Sequence, residues 1–225
     1  MKIYPTITTL SNTYLDKIKE IDSLNIKEVC LFLTGLDKDK RRELYSILIK
    51  SKIKYIPFSH IRTDMDYEEL SFLKNNFNTQ IFNIHTTREY EEFHDYKDLK
   101  KQVCIENTIY PLNEEEVKEW GGLCLDFSHL ENEKLVGSGT YEKDIILINQ
   151  YPIRCNHISA IKKEAKIDKY TQKERFDSHW YSDLSEFDYL KQYDKSLFSD
   201  FCAMELENTI EEQLKAIEYI VNEKI

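Results

Sequence analysis

The sequence predicts an α/β fold, a (β/α)8 TIM barrel, on three observations. Eight short runs of apolar and β-branched residues alternate with amphipathic stretches, the pattern of parallel strands joined by crossover helices. Five glycines and four prolines are too few for the many tight turns of a β-sandwich. No GxGxxG or GxxxxGK[ST] loop occurs to mark an open, doubly wound nucleotide-binding sheet. At 225 residues the chain fits one domain, 1–225, near the lower end for an eight-unit barrel of typically about 250 residues.

The candidate strands are 2–8, 28–35, 54–62, 79–86, 102–109, 122–129, 153–160 and 201–208, each ending in polar residues. Helices are expected over 12–24, 39–52, 67–76, 141–150 and 209–222. Leu70 with Leu73, and Ile210, Leu214, Ile217 and Ile220, show helical spacing. Thr209 followed by Glu212 fits a capping box. Residues 130–140 read as a loop, and 161–177 as a long, charged, poorly periodic connection.

Forty-one acidic against thirty-one basic residues give a net charge of −10, which disfavours indiscriminate nucleic-acid binding. The opening MKIYPTITTL lacks the sustained apolar core of a signal peptide, and no run approaches the ~20 apolar residues of a membrane span. Cys30, Cys104, Cys124, Cys155 and Cys202 are odd in number and widely spaced, with no CxxC. They read as buried free thiols of a cytoplasmic protein.

Chemistry-bearing residues gather where a parallel barrel places function, at the carboxyl ends of its strands. His60, His85, His129 and His157 stand at such ends, and His179 lies in an Asp-x-His pair with Asp177. Glu106, Asp126 and Glu205 join them, while His94 lies among solvated charges and reads as surface. Strand alternation puts Cys104 on the face of Glu106, Cys124 with Asp126, and Cys155 with His157, a thiol layer beneath a polar one. Cys202 has the opposite parity to Glu205. Glu205 and Glu207 share parity, and the apolar run directly before Glu205 favours it as the last ligand. Converging imidazoles and carboxylates suit divalent zinc, manganese or a related ion.

This series resembles the xylose isomerase-like barrel superfamily, which includes endonuclease IV and many sugar isomerases and epimerases. The matching pieces are IENT at Glu106, Asp-x-x-His at Asp126 and His129, His157 on the next strand, Asp-x-His at Asp177 and His179, and the terminal Glu205. The segment SEFDYL is similar to the family's short acidic turn before the seventh helix. In the isomerase branch one metal is held by residues matching Glu106, Asp126, His157 and Glu205. In the endonuclease IV branch, three zinc ions also use residues matching His60, His85, His129, Asp177 and His179. All nine are present, which implies a multinuclear hydrolytic centre with two or three zinc ions and Glu106 bridging. The alternative is an isomerase or epimerase holding one manganese or magnesium, with Glu106 and Glu205 as catalytic bases. A metal-stabilised sugar-binding module is the non-enzymatic reading.

For substrate, Arg62 directly follows His60, and the stretch 162–175 sets six basic against three acidic residues in an acidic protein. Lys162 and Lys163 there are candidates to attract phosphate from a lid over the metals. The expected partner is a small phosphorylated or sugar-like molecule. DNA is disfavoured by charge and by a length that leaves little room for substrate loops, and no membrane partner is expected.

Overall fold

The computed structural model describes residues 1–90, 94–169 and 171–223. Its centre is a ring of parallel strands. β1 (Lys2–Tyr4) and β2 (Thr6–Thr8) are separated by Pro5 alone. They are followed by β3 (Cys30–Phe32), β4 (Phe58–His60), β5 (Ile81–His85), β6 (Val103–Glu106), β7 (Leu123–Asp126) and β8 (Ile153–Ile158). A hairpin then intervenes, made of β9 (Ala160–Ile167) and β10 (Glu174–Ser178), before β11 (Phe201–Met204). β1 pairs with β11 and β2 with β3, so one stretch of chain pairs on both sides and the sheet closes on itself. Counted this way the barrel has eight staves. Proline has no N–H for a ladder, which explains the break, while the Pro5 carbonyl accepts from Cys30 N at 2.9 Å.

Helices pack outside the ring: α1 (Tyr14–Ser23), α2 (Lys38–Leu48), α3 (Tyr67–Phe77), α4 (Glu114–Glu119), α5 (Phe127–Leu135), α6 (Gly139–Ile148) and α7 (Ile210–Asn222). Short 3-10 turns complete the layer. α7 shows why such segments are helical. Thr209 and Glu212 form a reciprocal capping box, worth about 1 kcal/mol, and Ile210, Gln213, Ala216 and Ile220 are its buried face.

Alternation along the strands builds two cores. Outward residues such as Val103, Ile105, Leu123 and Leu125 pack against the helices. Inward residues Tyr4, Cys30, Phe32, Phe58, Ile81, Cys104, Cys124, Cys155 and Ala203 fill the barrel. The expected thiol layer is there, with Cys202 on the outer side, and all five cysteines are free and buried. Gly35 is required where the chain leaves β3, because a Cβ would sit 1.9 Å from the Thr9 carbonyl oxygen. Among the described residues no helix is long and apolar enough to cross a membrane.

Three expectations are corrected. The strand expected over 122–129 ends at Asp126, and the residues expected as a loop from 130 continue as α5 to Leu135. Asp126 ends the strand and caps the helix, so no connecting residue separates them. The connection expected over 161–177 is largely the antiparallel β9–β10 hairpin, with a register shift between Arg175 and Asp177. The turn expected at SEFDYL is a 3-10 helix, Leu184–Gln192.

Candidate metal centre

The strand register carries the site. His60 stands opposite Asn83, His85 opposite Glu106, Asp126 opposite His157, and His157 opposite Ala203, two residues before Glu205. Neighbouring parallel staves therefore deliver their inward side chains to the same mouth, stepping by two residues where His60 stands opposite Asn83 and Glu106 opposite Cys124. Glu106, Asp126 and His157 are 0% exposed, and Glu205 is 5% exposed.

Each group is aimed by a neighbour. Asp126 Oδ1 accepts from Ser128 Oγ at 2.6 Å and His129 N at 2.7 Å, so its second oxygen is left to face the centre. Asn107 ties the ends of β6 and β7 together, donating to Asp126 O at 3.0 Å and accepting from Asp126 N at 2.8 Å. Asn83 Nδ2 donates to Glu106 Oε2. Phe58 stacks on His157 at 5.3 Å and Phe32 lies 4.6 Å from the same ring, which closes the floor.

At the centre, His157 Nδ1 lies 3.3 Å from Glu106 Oε1, 3.6 Å from Asp126 Oδ2 and 3.4 Å from Glu205 Oε2. None of these four atoms makes an aligned hydrogen bond. Unsatisfied buried polar atoms cost about 1–3 kcal/mol each, more when charged, so several converging on one point call for a cation. The spacing fits: ligands about 2.0–2.1 Å from a tetrahedral ion lie roughly 3.3–3.4 Å apart.

Donor atoms within 4.8 Å of one another form several groups. One is His60, His85 and Glu106; another is His129, His179 and Glu205; a third is Glu106, Asp126, His129 and Glu205. The first two share no residue. Cys124 also comes within that distance of Glu106 and His157. The donor set is imidazole and carboxylate over a thiol, and it fits divalent metal. The two corners rest on longer contacts, His60 Nε2 to Glu106 Oε2 at 3.6 Å and His179 Nε2 to Glu205 Oε1 at 3.7 Å.

The electrostatics follow from crowding. Burial drives the pKa of His60 well below its ordinary value, which leaves a neutral ring. Burial opposes charge on Glu106 too, but His157, His60 and His85 outweigh it and hold the carboxyl below its usual range. Asp126 is likewise held down against burial by His129 and His157. The same carboxylates raise His157, and Asp126 and Asp177 lift His129 to about 9, in both cases against burial.

Asp177 is placed differently. Arg175 grips both its oxygens, and its Oδ2 stands 3.5 Å from His129 Nε2. His129 Nδ1, at the other side of that ring, lies 3.1 Å from the Asn107 carbonyl. Of the cationic candidates, Arg62 lines a cavity with His60 and His85 and is bonded to Asp64 at 2.9 Å. Lys162 Nζ pairs with Glu186 at 2.6 Å and, with Lys166, Lys169 and His179, lines an open cavity of about 370 Å³. Lys163 follows it on β9, and both lysines line a further open cavity beside Glu186 and Tyr189. Glu207 turns to Ser11 and Thr13, away from the centre.

Sequence reasoning missed Asn83, Glu89, Asn107 and Arg175. Asn83 shares the face of His85, a readable signal. Glu89 stands one helical turn after His85, and its Oε2 lies 3.2 Å from His85 Nδ1. Asn107 stands inside the IENT piece and Arg175 two residues before Asp177, but neither residue type by itself signals a metal site.

The fold and site together define a class: a (β/α)8 barrel whose mouth is lined by histidine and carboxylate suited to divalent metal. No family model matches the chain, and no curated protein matches it. Among solved structures it is similar to a xylose isomerase-like TIM barrel protein from Mycobacterium smegmatis, crystallised in complex with magnesium. The identity is 11%, over 98% of this chain and 96% of that one, with a TM-score of 0.48. At that distance no residue role transfers, and the barrel of this chain stands on its own strand pairing.

Proposed function

We propose that the protein is a divalent-metal-dependent phosphoester hydrolase with a multinuclear, zinc-type centre. The observation that supports this is the pair of donor groups without a common residue, His60–His85–Glu106 and His129–His179–Glu205. Glu106 and Glu205, with Asp126 and His157, would hold an ion between them. Such ions supply Lewis-acid activation of a phosphoryl group and of the attacking water.

The chain's own contribution is placement. Asn83 fixes Glu106 between its histidine neighbours, so that one carboxylate serves two groups. Asp177, locked by Arg175, keeps His129 in place and balances its charge. Lys162, on the cavity that reaches His179, and Lys163 next to it are the hairpin residues we assign to an anionic substrate. The net charge of −10 favours a small phosphorylated substrate over DNA. Buried free thiols support a reducing compartment such as the cytoplasm.

A second reading has its own observation. Glu106, Asp126, His157 and Glu205 are all buried, at 5% exposure or less, and come from the barrel strands and the residue just after β11. With one manganese or magnesium ion they would serve a sugar isomerase or epimerase, Glu106 and Glu205 moving a proton α to a carbonyl. Elemental analysis of the purified protein separates the two. Two or three zinc ions per chain, with one lost in His179→Ala and phosphoesterase activity down about a hundredfold, are expected for hydrolysis. One manganese or magnesium ion, indifferent to that substitution, would overturn the hydrolase.

A further inference from the structure

A second cavity, of about 100 Å³, opens on the other side of the metal centre, lined by Thr34, His60, Arg62, Thr63, His85 and Tyr90 with parts of Ile61 and Ile84. It touches two candidate metal ligands. Its cation is built in: Arg62 Nε donates to Asp64 Oδ1 at 2.9 Å and Nη1 to the Thr34 carbonyl at 2.9 Å. Asp64 is itself held by the fully buried Arg41, at 3.2 Å. Two edges of the guanidinium are thus spent on orientation, and Nη2 makes no hydrogen bond with the described residues. The Tyr90 ring lies 5.6 Å from His85 and forms a wall.

We propose that this cavity is an anion subsite that takes the carboxylate or phosphoryl group of a small substrate whose remainder lies over the metals. The proposal rests on the metal-enzyme reading above and deepens it by naming the end of the substrate that is recognised. Size is consistent with this: about 100 Å³ of space beside His60 and His85 admits one oxyanion group. Charge carries the argument. A pre-oriented guanidinium with a free N–H₂ edge is suited to carboxylate or phosphate oxygens. The position is distinctive, since barrel phosphate sites commonly use the loops after the last two strands. This cavity is built from the ends of β3, β4 and β5.

The test is calorimetric titration of inorganic phosphate, acetate and uncharged glycerol into the metal-loaded protein and into chelator-treated protein, for wild type, Arg62→Ala and Arg62→Lys. Metal content and thermal melts are measured on each. Expected are binding of phosphate or acetate but not glycerol, at least tenfold weaker in Arg62→Ala and partly restored in Arg62→Lys, with unchanged metal content. Which anion binds more tightly distinguishes a phosphoryl from a carboxylate source. No anion binding by the wild type, equal binding by Arg62→Ala, or an affinity loss that accompanies metal loss would each overturn the subsite. Anion binding lost in Arg62→Ala, in a wild type that holds no metal, keeps the subsite and removes the metal-enzyme reading instead.

Discussion

The two walls of the mouth are made in different ways. On the strand wall, His60, Glu106, Asp126 and His157 are at most 1% exposed, and strand register that the fold needs anyway sets their level. On the hairpin wall, Asp177 lies within, and His179 directly after, an antiparallel pair outside the barrel, docked through contacts such as Phe176 N to Asn132 Oδ1 at 2.7 Å. Side-chain pairing, Arg175 with Asp177 above all, sets that wall. The difference teaches that a ligand built into a stave is positioned at no extra cost in ordering, whereas one on an appended hairpin needs its own supports.

Glu106→Gln strikes the strand wall hardest. It removes the carboxylate that faces His60, His85, His129 and His157, and activity should fall by about a thousandfold or more, with loss of at least one ion per chain. Full metal content by elemental analysis would break the claim that this wall organises the centre.

Next in size is pH. A ligating imidazole must be neutral, and His129 sits near 9 with His157 also raised in the metal-free protein. Protons therefore compete with metal below that point. Affinity should climb about tenfold per pH unit for each proton displaced across the neutral range. Titrations of metal in buffers of different ionisation enthalpy read the released protons directly; a flat profile between pH 6 and 8 would contradict it.

The smallest effect belongs to Asp177→Asn. If Asp177 only orients His129, metal affinity at the hairpin wall should weaken about tenfold in chelator competition, with the strand-wall ions unmoved. Complete loss of an ion would make Asp177 a direct ligand, as the family resemblance implies, and would erase the contrast between the walls.

The same contrast explains what could be read from the sequence. Staves announce themselves by apolar runs that end in His or Glu, and parity alone separates the inward Cys104, Cys124 and Cys155 from the outward Cys202. Glu205 is picked from Glu207 by the apolar run before it, and the structure sends the two carboxylates to different neighbours. The hairpin gives no such signal, because Lys163, Glu164, Lys166 and Ile167 on β9 are exposed on both faces and no half-buried alternation survives. α5 was hidden for another reason. Asp126 does two jobs at once, so the usual polar spacer between strand and helix is missing, and α5 buries most of its circumference, which removes the amphipathic stripe.

The proline break in the first stave has a consequence for how the molecule is assembled. Residues 2–4 pair with 201–203, so the contacts that shut the ring join segments separated by nearly the whole chain. Such pairings carry the largest loop-closure entropy and form late. Until β11 arrives, β8 is an open edge and Glu205 is absent from the centre. Metal would then act as a latch on the finished ring, and an incompletely folded chain, with its edge exposed, would be the species most prone to aggregate.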